Sequence, residues 1–232
     1  MSQTISLPRL LIQIIVGFII YGILFFIPTG TLEWLEAWIF LIITFFYVMI
    51  IVFYFWRKDP TILVSRSKVK PEKGFDTVFL VVSGITFFSM FLITAFSVNP
   101  GLSDLFLRSN YKVPLAFESI GFIGIIIAFI VIFVVMRENA YASKAIEVQK
   151  GQKVIGTGSY AYVRYPMYIG FIIITICFPI ALGSFLALPP ALLVVILIAI
   201  RKIYEEKTLV EELEGYKEYM KKVQYQLIPK IW

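Results

Sequence analysis

Between residues 158 and 170 the chain reads GSYAYVRYPMYIG, which gathers Tyr160, Tyr162, Tyr165 and Tyr168 around Arg164 and Pro166. About one helical hairpin further on, Arg201 and Glu205 stand four residues apart in RKIYEE, a spacing that puts both on one helical face. Tyrosine faces attract a cation, while Arg and the unpaired N–H groups of a helix start attract a carboxylate. Glu accepts from an ammonium or from ribose hydroxyls. Such a set suits a small zwitterion with a cationic centre. S-adenosyl-L-methionine, with its sulfonium, carboxylate and ribose, is one of several molecules that fit.

The composition sets limits on the chemistry. The chain of 232 residues has no histidine and a single cysteine, so histidine bases, Ser-His-Asp triads, an internal disulfide and the common zinc sites are excluded, and no metal is expected. Hydrophobic residues make up 59% of the chain and charged ones 16%. That balance points to the bilayer as solvent.

The elements that position the polar cluster follow from hydropathy. Apolar stretches of spanning length lie at about 10–28, 36–56, 78–98 and 115–136. The first is long for a signal-peptide core and is expected to be retained. A further uncharged run from Met167 to Ile200 is too long for one span and holds Pro179, Gly183, Pro189 and Pro190, so it predicts a helical hairpin turning near Gly183-Ser184. The expected fold is all-α and polytopic. It has about six transmembrane helices, four in residues 1–136, with the connector, hairpin and interfacial tail helix in 137–232.

The basic residues test that count, because cytoplasmic loops concentrate Lys and Arg. With six crossings and both termini inside, every Lys and Arg except Arg108 and Lys112 falls on the cytoplasmic side. A shift of one crossing spoils the partition. The net charge of +6 is thus spread over loops beside spans, where anionic membrane lipids are the expected partner, and no nucleic-acid motif accompanies it. Glu118, near the outer end of the fourth span, is expected to be solvated by headgroups. The charges of 205–222 read as the solvated face of an amphipathic helix.

Residues 149–232 resemble the C-terminal half of the isoprenylcysteine carboxyl methyltransferase family, a group of membrane methyltransferases related to phospholipid methyltransferases. The resemblance rests on GSYAYVRYPMYIG, close to the family's G-x-Y-x-x-x-R-H-P-x-Y-x-G, then on RKIYEE and EGYKEYMKKVQYQLIP, in the same order around a hairpin. It implies that Gln149, Gln152, Lys153, Val154, Ile155, Tyr160, Tyr165, Pro166, Met167, Tyr168 and Glu205 contact S-adenosyl-L-methionine. It further implies that Arg201 faces a lipophilic methyl acceptor. Tyr165 departs from the family's His; it can donate and accept a hydrogen bond but does not become a cation near neutral pH.

A carboxylate acceptor needs no general base, which suits a chain without histidine and favours carboxyl O-methylation. Three other readings stand beside it: a lipid-amine N-methyltransferase, a sterol-reductase-like enzyme, and a non-enzymatic membrane protein or transporter. Taken alone, the tyrosines would be an interfacial belt. Their spacing with Arg164, Pro166 and the distant RKIYEE favours a site. The residue pattern sets neither the acceptor nor an oligomeric state.

Overall fold

The computed structural model describes residues 7–60, 62–63, 74–99, 101, 113–139, 141, 148 and 151–228. Every multi-residue element among them is helical. Seven α-helices run in order: α1 (Leu7–Thr29), α2 (Leu35–Lys58), α3 (Gly74–Val98), α4 (Leu115–Glu138), α5 (Pro166–Ala181), α6 (Leu188–Glu212) and α7 (Tyr216–Lys222). A 3₁₀ turn, Gly158–Ala161, precedes α5.

Four helices, α1 to α4, are long and apolar enough to cross a membrane. Their outer faces expose Ile19, Phe46, Ile85 and Ile130, side chains that water would not tolerate in such numbers and that acyl chains would. Among the described residues these are four of the expected six spans, and they meet the requirement by length and composition alone. The two hairpin legs fall short for different reasons: α5 has 16 residues, about 24 Å of helix, and α6 is uncharged only as far as Ile200 before Arg201 and Lys202 begin its polar half.

The hairpin turns through Leu182–Ala187, with Gly183 at φ +82°, a conformation L side chains rarely adopt. Pro189 and Pro190 open α6, where a missing N–H costs nothing. Glu118, in the first turn of α4, is half-buried beside this turn: a Cβ on Gly183 would lie 3.3 Å from its Oε1.

The hairpin is seated by two devices. Against α4 it packs through glycines. A Cβ on Gly121 would lie 2.5 Å from the Ala181 backbone nitrogen, and one on Gly170 would lie 2.5 Å from Ile132, so the absence of side chains sets how closely α4 and α5 approach. Half-buried Cys177 packs at Gly124 in the same seam. Against the other helices α5 inserts Phe178, whose ring lies 4.5 Å from that of Phe91 and 5.2 Å from that of Phe40; Phe25, 4.9 Å from Phe91, completes the cluster. One side chain thereby ties the hairpin to α1, α2 and α3.

The tail departs from one long amphipathic helix. It breaks at Leu213–Gly215, with Gly215 at φ +82°, and α7 turns back. Glu211, Glu212, Lys217, Lys221 and Lys222 are exposed, as the sequence pattern predicts. The opposite face, with Leu213, Tyr216, Tyr219 and Val223, packs on Val154 of the connector rather than outward.

Candidate active site

The connector, the two feet of the hairpin and α7 enclose a cavity of about 410 Å³. Each wall has a local cause. The connector is anchored where Glu138, the last residue of α4, accepts from the Ser159 N–H at 2.8 Å and from the Ser159 hydroxyl. Gly158, at φ +60°, has no Cβ because that carboxylate occupies the space. The following 3₁₀ turn presents Tyr160, whose hydroxyl accepts from Asn139 Nδ2 at 2.9 Å and whose carbonyl accepts from the Tyr219 hydroxyl at 2.7 Å. A belt tyrosine would keep its ring at the water interface. Tyr160 is instead 9% exposed and held from two sides.

Arg164 does something other than bind an anion in open space. Buried at 7% exposure, it donates through Nη1 to the carbonyls of Val223 (2.9 Å) and Gln224 (3.0 Å), and through Nη2 it pairs with Glu206 at 2.7 Å. The backbone N–H groups of Arg164 and Tyr165 donate to the carbonyls of Tyr225 and Gln226, both at 3.0 Å. Lys202, 2% exposed, completes the clasp by donating to Gln226 Oε1 and lying 3.8 Å from Glu206. The segment after α7 is therefore strapped to the start of α5, and α7 is held over the cavity.

Pro166 opens α5 as the pre-proline residue and ring geometry require. It is buried and lies outside the cavity lining, so its contribution is to set the direction of the helix. One residue and a half-turn later Met167 and Tyr168 face the cavity. The Tyr168 hydroxyl donates to Glu205 Oε2, which links the two feet of the hairpin. Arg201, on the same face of α6 as Glu205, is 9% exposed with its guanidinium centred 4.9 Å from the Phe79 ring.

Tyr165 sits in a particular setting. Its hydroxyl shares a 3.0 Å hydrogen bond with that of Tyr216, and the Lys202 ammonium lies 5.6 Å from its ring centre. Burial, reinforced by Tyr216 and the nearby Glu205, pushes its phenol far above the usual range. Burial likewise raises Tyr216 well above 10 and pushes Tyr219 up to about 12, with Arg164 acting in the opposite direction on both. All three phenols are neutral hydrogen-bonding groups at physiological pH.

Gln152, Lys153, Val154, Ile155, Tyr160, Tyr165, Met167, Tyr168, Arg201 and Glu205 are thus brought together on one cavity, and Pro166 stands just behind it. Gln149 lies outside the described residues. The sequence reading assigned no role to Asn139, Thr208, Tyr216, Tyr219 or the α3 residues Phe79 and Leu80, which also line the space. Tyr216 and Tyr219 carried a signal, since aromatic residues three apart in a charged tail share a face. Asn139, Phe79 and Leu80 carried none.

The cavity volume lies within the roughly 300–1,000 Å³ of small-molecule sites. Its residues fit a nucleoside-bearing zwitterion: aliphatic Val154, Ile155, Leu209 and Leu213 for a flat base, tyrosine rings for a cation, and Glu205, Asn139 and Gln152 for polar edges. Among the described residues no group of His, Cys, Asp and Glu could hold a metal ion.

Fold and site together define an α-helical integral membrane protein with a small-molecule cavity at one end of its hairpin. Residues 119–211 match the isoprenylcysteine carboxyl methyltransferase (ICMT) family, the family that the two motif segments resemble. The match contains GSYAYVRYPMYIG and RKIYEE and ends before α7. Among solved structures, the chain is similar to the eukaryotic intramembrane Ras methyltransferase ICMT, with 18% identity over 98% of this chain and 88% of that one and a TM-score of 0.46. No curated protein matches.

Proposed function

We propose that this protein is an S-adenosyl-L-methionine-dependent methyltransferase that methylates a carboxylate on a lipophilic acceptor. The observation that supports the reading most is the convergence of two motif segments, separated by a hairpin, on one cavity through the Tyr168–Glu205 hydrogen bond. In this reading α5 and α6 complete six crossings, and both termini and the cavity face the cytosol. The connector side would admit the water-soluble donor, and the apolar Phe79, Phe171 and Ile198 would meet an acceptor arriving from the bilayer.

When bound, S-adenosyl-L-methionine supplies an electrophilic methyl group on a sulfonium. Everything else falls to this chain. Tyr160 and Tyr168 offer ring faces to the cation, and Glu205, fixed by Tyr168, accepts from donor hydroxyls or ammonium. Arg201 holds the acceptor carboxylate in line with the methyl. Tyr216 and Tyr219 close the cavity from above and exclude water. A carboxylate oxygen attacks in its ionised form, so no residue has to remove a proton.

Calorimetry with S-adenosyl-L-methionine on the purified protein and on Glu205→Ala and Tyr160→Leu tests this. Binding is expected for the unmutated protein and weaker binding for both variants. Absence of binding by the unmutated protein sinks the function, and unchanged binding by both variants sinks the site. After incubation with methyl-labelled donor and lipid extract, label lost on mild base identifies an ester. Base-stable label would instead identify N-methylation of an amine.

A further inference from the structure

The acceptor side of the cavity contains a contact from the part of the chain that has no readable motif. Phe79 of α3 and Arg201 of α6 are both nearly removed from solvent, at 7% and 9% exposure, and the guanidinium carbon sits 4.9 Å from the ring centre. About one turn away along the same two helices, Phe75 and Tyr204 stack with ring centres 3.6 Å apart and planes 21° from parallel. The seam between α3 and α6 is thus closed by two aromatic rungs. The first of them contains the cation assigned to the acceptor, and both of its members line the cavity.

A guanidinium recognises a carboxylate through its in-plane N–H edges, and a ring packed against it restrains where those edges point. The ring also stabilises a cation that burial would otherwise penalise. Apolar Leu80 follows Phe79 in the lining, so the same turn of α3 that restrains the cation also offers surface to a lipid chain. From this arrangement we infer that Phe79 is a positioning residue for methyl transfer, orienting Arg201 toward the acceptor's carboxylate, and that α3 thereby sets acceptor affinity. The inference rests on the function proposed above and deepens it.

Fluorination of the ring separates this role from simple packing. Mono-, di- and trifluorophenylalanine keep the shape of Phe79 and progressively remove the negative potential of its face. They would be incorporated into the full-length protein, reconstituted in lipid, with S-adenosyl-L-methionine as donor and N-acetyl-S-farnesylcysteine as acceptor. The expected result is a stepwise rise in acceptor KM, reaching roughly tenfold for the trifluoro ring as befits a desolvated cation–π contact, with donor KM unchanged. Phe79→Leu raises acceptor KM similarly, and Phe79→Trp restores it. A flat fluorination series in an enzyme that turns over, or a donor KM that moves in parallel, overturns the inference and leaves the proposed function standing. Failure of the unmutated protein to methylate any acceptor in lipid extract overturns both.

Discussion

Arg164 illustrates how a charged residue within the aromatic cluster can act through structure. Its two Nη groups serve two carbonyls and Glu206, a division of labour that a lysine, with one compact ammonium, cannot reproduce. Arg164→Ala removes the shared donor of the Val223 and Gln224 carbonyls and one partner of Glu206, which keeps Lys202 and Gln226; the cost falls below the roughly 3–5 kcal/mol of breaking a fully buried ion pair from one side. The expected outcome is release of the strap after α7: limited proteolysis should cut near 223–228 in the variant and spare the unmutated protein. Arg164→Lys is expected to fall between them. The buried phenols make a second residue-level prediction. Tyr219 ionises at about 12 in the folded protein against 10.0 in the ordinary state, so its contribution to stability is complete below pH 10. As pH rises from 10 to 12 the unfolded chain loses a proton that the folded one keeps, and stability falls. Tyr165 and Tyr216 shift in the same direction. The melting temperature in detergent should therefore drop above pH 10, and Tyr219→Phe, lacking one of the three phenols, should show a shallower drop.

At the level of elements, the α4–α5 seam decides where the site sits, since α5 carries Met167 and Tyr168. Gly121→Ala places a methyl against the Ala181 backbone, which cannot yield as a side-chain end can; overpacking of this kind costs about 1–3 kcal/mol. Gly17→Ala in α1 meets nothing within 4 Å. Thermal denaturation should show a clear loss for the first variant and none for the second. The contrast also marks the limit of what sequence reveals. Long apolar runs announce α1 to α4, and Pro179, Gly183 and the Pro189-Pro190 pair announce the hairpin, because each acts through local chain stiffness. Tyr160, Tyr168, Arg201 and Glu205 were legible because a hairpin with both feet on one side must bring its two polar borders together. The fold of α7 over the cavity depends instead on Arg164 reaching carbonyls some sixty positions away. Phe79 stands opposite Arg201 only because α3 packs along α6. Neither fact has a local signature, and a Phe within an apolar run looks like any lipid-facing neighbour.

For the molecule as a whole, the contacts at the two ends of the bundle establish a polarity that the charges then orient. At one end Asn99, just past α3, donates to the Pro28 carbonyl near the end of α1 at 3.0 Å, and Glu118 of α4 stands beside the Gly183 turn. At the other end Glu138 closes α4 onto the connector, and Phe75 and Phe79 near the start of α3 meet Tyr204 and Arg201. Arg57 and Lys58 end α2 and Arg137 ends α4 at this second end, where cations also favour a helix C-terminus. The first end carries Glu33, Glu36 and Glu118. A membrane that sorts Lys and Arg to its cytosolic face should therefore hold the cavity end inside. The single native cysteine makes the test direct. In a Cys177→Ala background, Lys58→Cys and Lys217→Cys both lie exposed at the cavity end, and Glu33→Cys lies exposed at the other. In intact cells an impermeant maleimide should label only the Glu33→Cys protein, and the other two should react after the membrane is opened. Labelling of Lys217→Cys from outside would place the cavity end, and with it the proposed donor site, on the opposite face from its cytosolic substrate.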